Sequence, residues 1–425
     1  MARAENVLDV YRLALDNDPR FQAAQSTYRA DLQKLPQARA ALRPRIGAQA
    51  DASRKDIEVT TGSGILSTPA GGTDFNSTAF ELSLTQPIYN SSLFAGLRQA
   101  RAEARRAEAQ FVAAKQDLIV RVVEAYIAVL ATLDNVEVAG AQKAANGRQR
   151  EIVEGRLEVG LSTITDANQA RARFELDVAN EIEAVNLLRD AREGLVEITG
   201  TDIKDVATLN REAPLIEPDP PDIEKWVEIA LKQNPNIIAA LETAQIALEE
   251  IKRQRAGHYP TVDLFGSHTS TDDRGSITGP EVKTDRTEIG VQLTVPLYQG
   301  GLISSLTREA GHRYSAAQQD LESQRRSVKR TTRAAFLGVV GGASRVQATR
   351  QSVVASEITV QGRREGFEAG INTNVEVLDA QRDLFIARTD ALRARYDYIL
   401  ELLRLKQSAG LLSEEDLIAF NRWLQ

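Results

Sequence analysis

The residue types that most often perform catalysis form no catalytic pattern in this sequence. His258, His268 and His312 lie in different predicted elements and lack the spacing of metal ligands. The sequence also has no Gly-rich phosphate-binding loop and no G-x-S-x-G nucleophile motif. We therefore expect a protein that is not an enzyme and that needs no cofactor or metal.

Two carboxylates are better placed to act together. Glu376 and Asp379 lie three residues apart, so on a helix their side chains share one face. Most such pairs are simply solvated on a protein surface. The spacing alone does not separate that interpretation from a functional one, so the elements that position the pair must decide.

The composition favours long helices over a broad aromatic core. Aromatic residues make up 5% of the chain and charged residues 26%, while Ala, Leu, Glu, Gln and Arg fill long stretches. Residues of both charges are interleaved around a net charge of −7, which disfavours a nucleic-acid partner. Cysteine is absent, which fits a bacterial cell-envelope protein as well as it fits chance.

Any crossing of a membrane would have to be made by strands. No uncharged apolar stretch of about 18 residues occurs, since the best candidate, from Ile119 to Leu133, contains Arg121 and Glu124. Strands cross lipid only as a closed barrel.

The sequence is internally duplicated. Landmarks of the first half recur in the same order in the second, at an offset that falls from 216 to 209 and 210. The matched pairs are Ala14–Pro19 with Ala230–Pro235, Pro44 with Pro260, Leu84–Tyr89 with Leu293–Tyr298, Glu158–Gly160 with Glu368–Gly370, and Gly200 with Gly410. We predict a first repeat over 1–213, a Pro-rich linker over 214–221 and a second repeat over 222–425.

Each repeat follows the same plan. A short helix, a second helix, a strand hairpin around a Gly/Ser/Thr-rich loop and two long helices succeed one another. The predicted boundaries are short helices over 5–16 and 222–233, second helices ending near Pro44 and Pro260, returning strands ending at Pro87 and Pro296, and long helices joined near Gly160 and Gly370. The helix predicted over 91–158 would be about 100 Å long. Its apolar residues and alanines recur every three or four positions, as in a coiled-coil seam.

The predicted strands alternate in polarity. Phe80, Leu82 and Leu84 share one face, whereas the residues between them are polar. Such a pattern usually means a half-buried sheet in a soluble protein, but the helices here offer no spare apolar face to cover one. An apolar-out, polar-in barrel fits better. Because about eight strands are needed to close a barrel, four per chain require oligomerisation, and a trimer would supply twelve.

These features together resemble the TolC-like outer-membrane efflux and secretion channels. The motifs behind the resemblance are the paired Asp-Pro and Asn-Pro breaks, Pro-Leu-Tyr-Gln-Gly-Gly over Pro296–Gly301, and the segments Val159–Asp166 and Val375–Ala380. The resemblance implies a homotrimer in the outer membrane of a Gram-negative bacterium, with a twelve-stranded transmembrane β-barrel continued by an α-barrel through the periplasm. It also implies two partners, a periplasmic adaptor and either an inner-membrane pump or an ABC transporter. The implied function is the export of drugs or polypeptides.

The resemblance assigns roles to three groups of residues. Glu376 and Asp379 would form acidic rings at the periplasmic constriction, where like charges raise each other's pKa and favour cations. Residue 376 is a Glu here, whereas the resembled channels usually have an Asp. The turns would meet the adaptor through Val159, Gly160, Leu161, Ala369, Gly370 and Ile371.

The third group holds the closed state in the resembled channels. The Thr-Asp half of that contact is present as Thr165 and Asp166, but its Tyr and Arg are replaced by Phe367 and Asn372. We therefore expect a closed state that is weaker or held by different residues.

Two alternatives from other classes stay open at this level. A soluble coiled-coil scaffold would not need the alternating strands, and a periplasmic adaptor should have a lipoyl-like domain with one helical hairpin. The cargo cannot be inferred from the sequence.

Overall fold

The computed structural model describes residues 5–59, 71–210, 214–275 and 281–424. Its helices are α1 (Val7–Asn17), α2 (Pro19–Leu32), α3 (Lys34–Ala40), α4 (Ser91–Glu158), α5 (Ile164–Thr199), α6 (Ile223–Gln233), α7 (Pro235–Arg255), α8 (Leu302–Glu368), α9 (Asn374–Ala409) and α10 (Glu414–Asn421). Its strands are β1 (Arg45–Val59), β2 (Gly71–Tyr89), β3 (Thr261–Asp273) and β4 (Val282–Thr294). The tips of the two predicted Gly/Ser/Thr-rich loops, at 60–70 and 276–280, lie outside the described residues.

The described residues form two compact units, and each unit draws on both halves of the sequence. The helical unit comprises the described residues of Met1–Arg29, Glu108–Ala239 and Leu321–Gln425. The sheet unit comprises those of Ala30–Ala107 and Ala240–Asp320. None of the helices in the described part of the chain combines the length and the hydropathy that a membrane span requires.

The helix breaks before proline form as predicted, because the residue before each proline caps the next helix. Asp18 Oδ1 accepts a hydrogen bond of 2.6 Å from the Phe21 amide. Asn234 Oδ1 accepts one of 2.9 Å from the Asn236 amide. Both residues have an extended backbone, which proline imposes on its predecessor, and Asp and Asn are favoured N-caps.

Asp18 is also buried in an ion pair within the helical unit. Arg121 Nη1 lies 2.6 Å from Asp18 Oδ2, and the Asp18 side chain is almost fully buried. Burial opposes ionisation of this carboxyl, but hydrogen bonds from Arg121 and the Phe21 amide outweigh it, so the pKa of Asp18 lies below its usual value. The pair therefore fixes the α1–α2 break against the middle of α4.

The first repeat departs from prediction at its second helix. We expected one helix ending near Pro44, but the structure has α2 and α3, separated at Gln33. Pro36 explains the break, because proline has no amide to bond with the carbonyl of Leu32 and its ring clashes there. In the second repeat, α7 and one 3₁₀ turn (Ala256–His258) end before Pro260, as predicted.

The four strands form one antiparallel sheet in the order β1-β2-β3-β4. The predicted ends of the returning strands were slightly wrong: β2 continues past Pro87 to Tyr89 through a register shift, and β4 ends at Thr294. A bulge is one of the few places in a sheet that accept proline.

One face of this sheet is apolar and exposed. Ile46 pairs with Leu84, Ala48 with Leu82 and Ala50 with Phe80, so the apolar residues of β1 and β2 are side by side. Ile289 and Leu293 of β4 lie on the same face and are 76% and 63% exposed. The opposite face is lined by polar residues such as Gln49, Glu81, Glu288 and Gln292.

Glycines within α8 mark a close approach to α9. A Cβ at Gly338 would lie 2.6 Å from Glu401 Oε2, and one at Gly342 would lie 3.3 Å from Tyr398 Cδ2. A Cβ at Gly341 would meet nothing within 4 Å. Two of the three glycines therefore make room for α9.

Candidate functional site at the helix turns

The two turns that join the long helices have the same backbone geometry. Gly160 and Gly370 adopt left-handed conformations, with φ of 77° and 76°. The Leu161 amide bonds to the Arg156 carbonyl at 2.8 Å, and the Ile371 amide bonds to the Gly366 carbonyl at 2.7 Å. The glycine amides bond to the carbonyls of Leu157 and Phe367, three residues earlier, at 3.0 and 3.1 Å. These are Schellman C-caps, so the long helices are joined at Gly160 and Gly370, as predicted.

The helix after each turn begins with the same capping box. Thr163 caps α5, and Asp166 Oδ2 accepts from the Thr163 amide at 3.2 Å. Thr373 caps α9, and Glu376 Oε2 accepts from the Thr373 amide at 2.8 Å. The capping residues thus fix the carboxylates of Asp166 and Glu376 at corresponding places in the two repeats.

Glu376 has further partners in its own chain. Its carboxylate accepts hydrogen bonds from Asn372 Nδ2 at 3.1 Å and from Arg363 Nη1 at 2.9 Å. The Thr373 amide, Asn372 and the charge of Arg363 together hold the pKa of Glu376 below its usual value. The contacts within one chain therefore act against the rise in pKa that we expect from a ring of like charges.

Asp379 lies on the next turn of α9 and is half-exposed. Its Oδ1 is 3.2 Å from Arg382 Nη1, and Arg382 Nη2 is in turn 3.2 Å from Asp383 Oδ1. Arg382 thus lies between two carboxylates on the surface of α9.

The residues expected to replace the closed-state contact find partners inside the chain. Phe367 is 8% exposed and belongs to a small apolar cluster with Val153, Ala167, Ala170 and Val377. Asn372 donates a hydrogen bond to Glu376 and not to Asp166. Asp166 instead accepts a hydrogen bond from the Thr163 hydroxyl, and Thr165 is exposed. A weaker or altered contact between neighbouring chains at these positions remains a prediction.

The turns present an exposed apolar surface. Val159 and Leu161 at the first turn are 69% and 74% exposed, and Ile371 at the second is 80% exposed. Ala369 is exposed as well, and a Cβ at Gly160 or Gly370 would meet nothing within 4 Å. The surface that we predicted to dock an adaptor is therefore accessible in the chain.

The family model described as "Outer membrane efflux protein" matches residues 10–201 and 226–411. The chain belongs to this family. It is 35% identical to the outer membrane protein TolC of Vibrio cholerae, over 99% of this chain and 94% of that protein. It is 32% identical to the alkaline protease secretion protein AprF of Pseudomonas aeruginosa, over 98% of this chain and 86% of that protein.

Solved structures of outer-membrane proteins share the fold of this outer membrane efflux protein. The structure of VceC from Vibrio cholerae matches with a TM-score of 0.79 and 19% identity, over 95% of this chain and 96% of that one. The structure of CmeC from Campylobacter jejuni matches with a TM-score of 0.82 and 16% identity, over 99% and 90% of the two chains. The predicted family, fold class and location in a Gram-negative outer membrane are thus confirmed.

One residue at the turns of this efflux protein, Arg156, was not predicted from the sequence. Arg156, near the end of α4, donates hydrogen bonds to the carbonyls of Phe367 at 3.1 Å and Glu368 at 3.2 Å. Its guanidinium also lies 4.5 Å from the centroid of the Phe367 ring. Arginine often binds the free carbonyls at a helix end, but the partners here are 211 and 212 residues away in sequence.

A buried polar contact also joins α4 to the start of α9. Gln149 Nε2 donates to Asn374 Oδ1 at 2.8 Å, and both side chains are buried. Asn374 Nδ2 reaches the Asp166 carbonyl at 3.5 Å. The two turns, one from each repeat, are therefore connected through Arg156 and through Asn374.

We predict that Arg156→Gln loosens the second turn. Glutamine cannot make both carbonyl contacts and the cation–π contact, so the end of α8 should open more often. Hydrogen exchange followed by mass spectrometry should show faster exchange over 366–374. Arg150→Gln is the control, since Arg150 stacks on Phe174 without reaching this turn. Equal exchange in wild type and Arg156→Gln would contradict the role of Arg156.

Proposed function

We propose that this chain is one subunit of a homotrimeric channel-tunnel. It gives small molecules or polypeptides an exit across the periplasm and outer membrane, as part of a tripartite efflux pump or a type I secretion system. Family membership implies a transport role, and we propose that the chain has no enzyme activity.

The observation that supports the channel most strongly is the exposed sheet. Within the described residues, β1 pairs with β2 alone and β4 pairs with β3 alone, so both edges have unpaired backbone groups. One face of the same sheet is apolar and exposed. Long edges and an apolar face are a liability in water, but they suit a barrel in lipid that neighbouring chains complete.

The strand number and the ends of the strands support a trimer in a membrane. Three copies of the four-stranded sheet give twelve strands, enough to surround a lumen. The apolar positions of β4 continue beyond its end through Val295 and Leu297 to Tyr298, all exposed. Tyr89, at the end of β2, is also exposed. Tyrosines at the border of an apolar band are typical of barrels in outer membranes.

The helical unit supports the proposed contact with other parts of an export system. In a trimer, Glu376 and Asp379 would surround the periplasmic constriction, and the apolar turns would face an adaptor of the membrane-fusion type. An inner-membrane pump or an ABC transporter would supply the cargo. The family model is named for efflux and the Pseudomonas aeruginosa relative for protease secretion, so both kinds of cargo fit.

We predict that Leu293→Arg reduces the amount of trimer in the outer membrane. Leu293 lies on the apolar face, where the cost of an arginine rises with depth to about 2–4 kcal/mol at the middle of the bilayer. Gln292→Arg is the matched control, because the neighbouring side chain lies on the polar face and should assemble normally. Heat-sensitive trimers in isolated outer membranes are measured on gels. Equal assembly of both variants would rule out the proposed orientation of the sheet.

We predict that Ile371→Glu abolishes export and leaves trimers in the membrane. A charge at this exposed apolar position should prevent contact with the adaptor without disturbing the fold. Gly362→Glu introduces the same charge on α8, where a Cβ would meet nothing within 4 Å, and this variant should export normally. Export and trimer content are measured in the same cells. If export survives Ile371→Glu, the adaptor docks elsewhere.

A further inference from the structure

Each carboxylate of the proposed constriction has an arginine beside it in the same chain. Arg363 reaches Glu376 from the end of α8, at 2.9 Å. Arg382 reaches Asp379 from one turn further along α9, at 3.2 Å. The two carboxylates in each subunit are thus accompanied by two positive charges a few ångströms away, although Arg382 is also 3.2 Å from the carboxylate of Asp383.

The arginines are confined to the repeat that contains the acidic pair. At the offset of 210, Arg363 aligns with Val153 and Arg382 with Ala172. Asp379 likewise aligns with a neutral residue, Gln169. The first repeat therefore builds the same turn with neither arginine, so the shared scaffold does not require them.

Compensation of charge does not depend on the strength of these ion pairs. Exposed pairs contribute little to stability, and each arginine leaves its carboxylate from time to time. The carboxylate and the guanidinium of each pair are nevertheless only a few ångströms apart, well within one Debye length, which is about 8–10 Å at physiological salt. An ion in the lumen therefore interacts with both charges. The guanidinium group of arginine is also effectively always charged in proteins.

We infer that Arg363 and Arg382 set the ion selectivity of the constriction, by offsetting the negative charge of Glu376 and Asp379. The inference rests on the channel function proposed above and deepens it. A trimer would combine rings of carboxylates with rings of guanidinium groups at nearly the same level. Such a constriction admits anions and cations more evenly than acidic rings alone, which suits an exit duct for cargo of either charge.

The test is the permeability ratio of K⁺ to Cl⁻ in planar lipid bilayers. Purified wild-type trimers and the variant Arg363→Gln/Arg382→Gln are compared through the reversal potential in a KCl gradient. The ratio should rise at least about twofold in the variant, because a unit charge at about 8 Å in water alters the local ion concentration by about that factor. Asp379→Asn should move the ratio in the opposite direction.

Two further variants separate charge from structure. Arg382→Lys keeps the charge without the forked geometry, so its ratio should stay near the wild-type value. Arg388→Gln is the matched control. Arg388 lies further along α9 and pairs with Glu357 of α8 at 2.7 Å, so its loss should leave the ratio unchanged. If the double variant fails to assemble, Arg382→Gln alone is compared with Arg382→Lys.

The outcomes distinguish this inference from the function on which it rests. Channels that conduct with the same ratio in wild type and in the glutamine variants would overturn the role of the arginines and leave the channel intact. Wild-type trimers that never conduct would overturn the channel function itself. A ratio that rises in the glutamine variants and stays constant in Arg382→Lys and Arg388→Gln would support the inference.

Discussion

Unpaired backbone at the two edges of the sheet is the constraint on which the rest of the account depends. β1 and β4 are long strands, and in the described residues each has a partner on one side only. In lipid, every amide and carbonyl left without a partner costs several kcal/mol, so an open sheet cannot stay in a bilayer. The exposed apolar face makes water equally unsuitable. Pairing β1 of one copy with β4 of the next would satisfy the backbone groups at the edges, and the closed barrel could then hold its apolar face in lipid.

The helical unit uses one turn twice and adapts it differently in each repeat. Both turns combine a glycine C-cap with a threonine capping box, which leaves Asp166 and Glu376 in equivalent positions. The difference lies one turn earlier, where Arg156 aligns with Gly366. Arg156 binds the end of α8, whereas Gly366 leaves space for Asn372, whose side chain a Cβ at 366 would overlap. The second turn is thereby stabilised from both sides.

Local patterns predicted the elements well, because each depends on a short stretch of sequence. The periodic seam placed a helix over 91–158, and the structure has Ser91–Glu158. The residues before Pro19 and Pro235 marked helix breaks that the structure contains. Pro36 was overlooked, which made the second helix too long. The repeat boundaries 1–213 and 222–425 remain a prediction.

The site was harder to predict, because its contacts join distant parts of the chain. Arg156 binds backbone carbonyls more than 200 residues away, and no side-chain pattern reveals such partners. Arg382 could have been found, since it follows Asp379 at the spacing of a helical ion pair. Glu376 was treated as a gate residue alone, although Thr373 three residues earlier indicated a capping box.

Cysteine cross-linking between sheet edges tests the central claim, that copies of this chain close one barrel, most directly. The sequence contains no cysteine, so each bond formed is a designed one. Gln49→Cys on β1 is combined in one chain with a cysteine at Glu288, Gly290 or Gln292 of β4, all on the polar face. We expect at least one combination to give covalent trimers on a denaturing, non-reducing gel, and Gln49→Cys alone to give none. Monomers alone, in every combination, would contradict a barrel closed through β1 and β4.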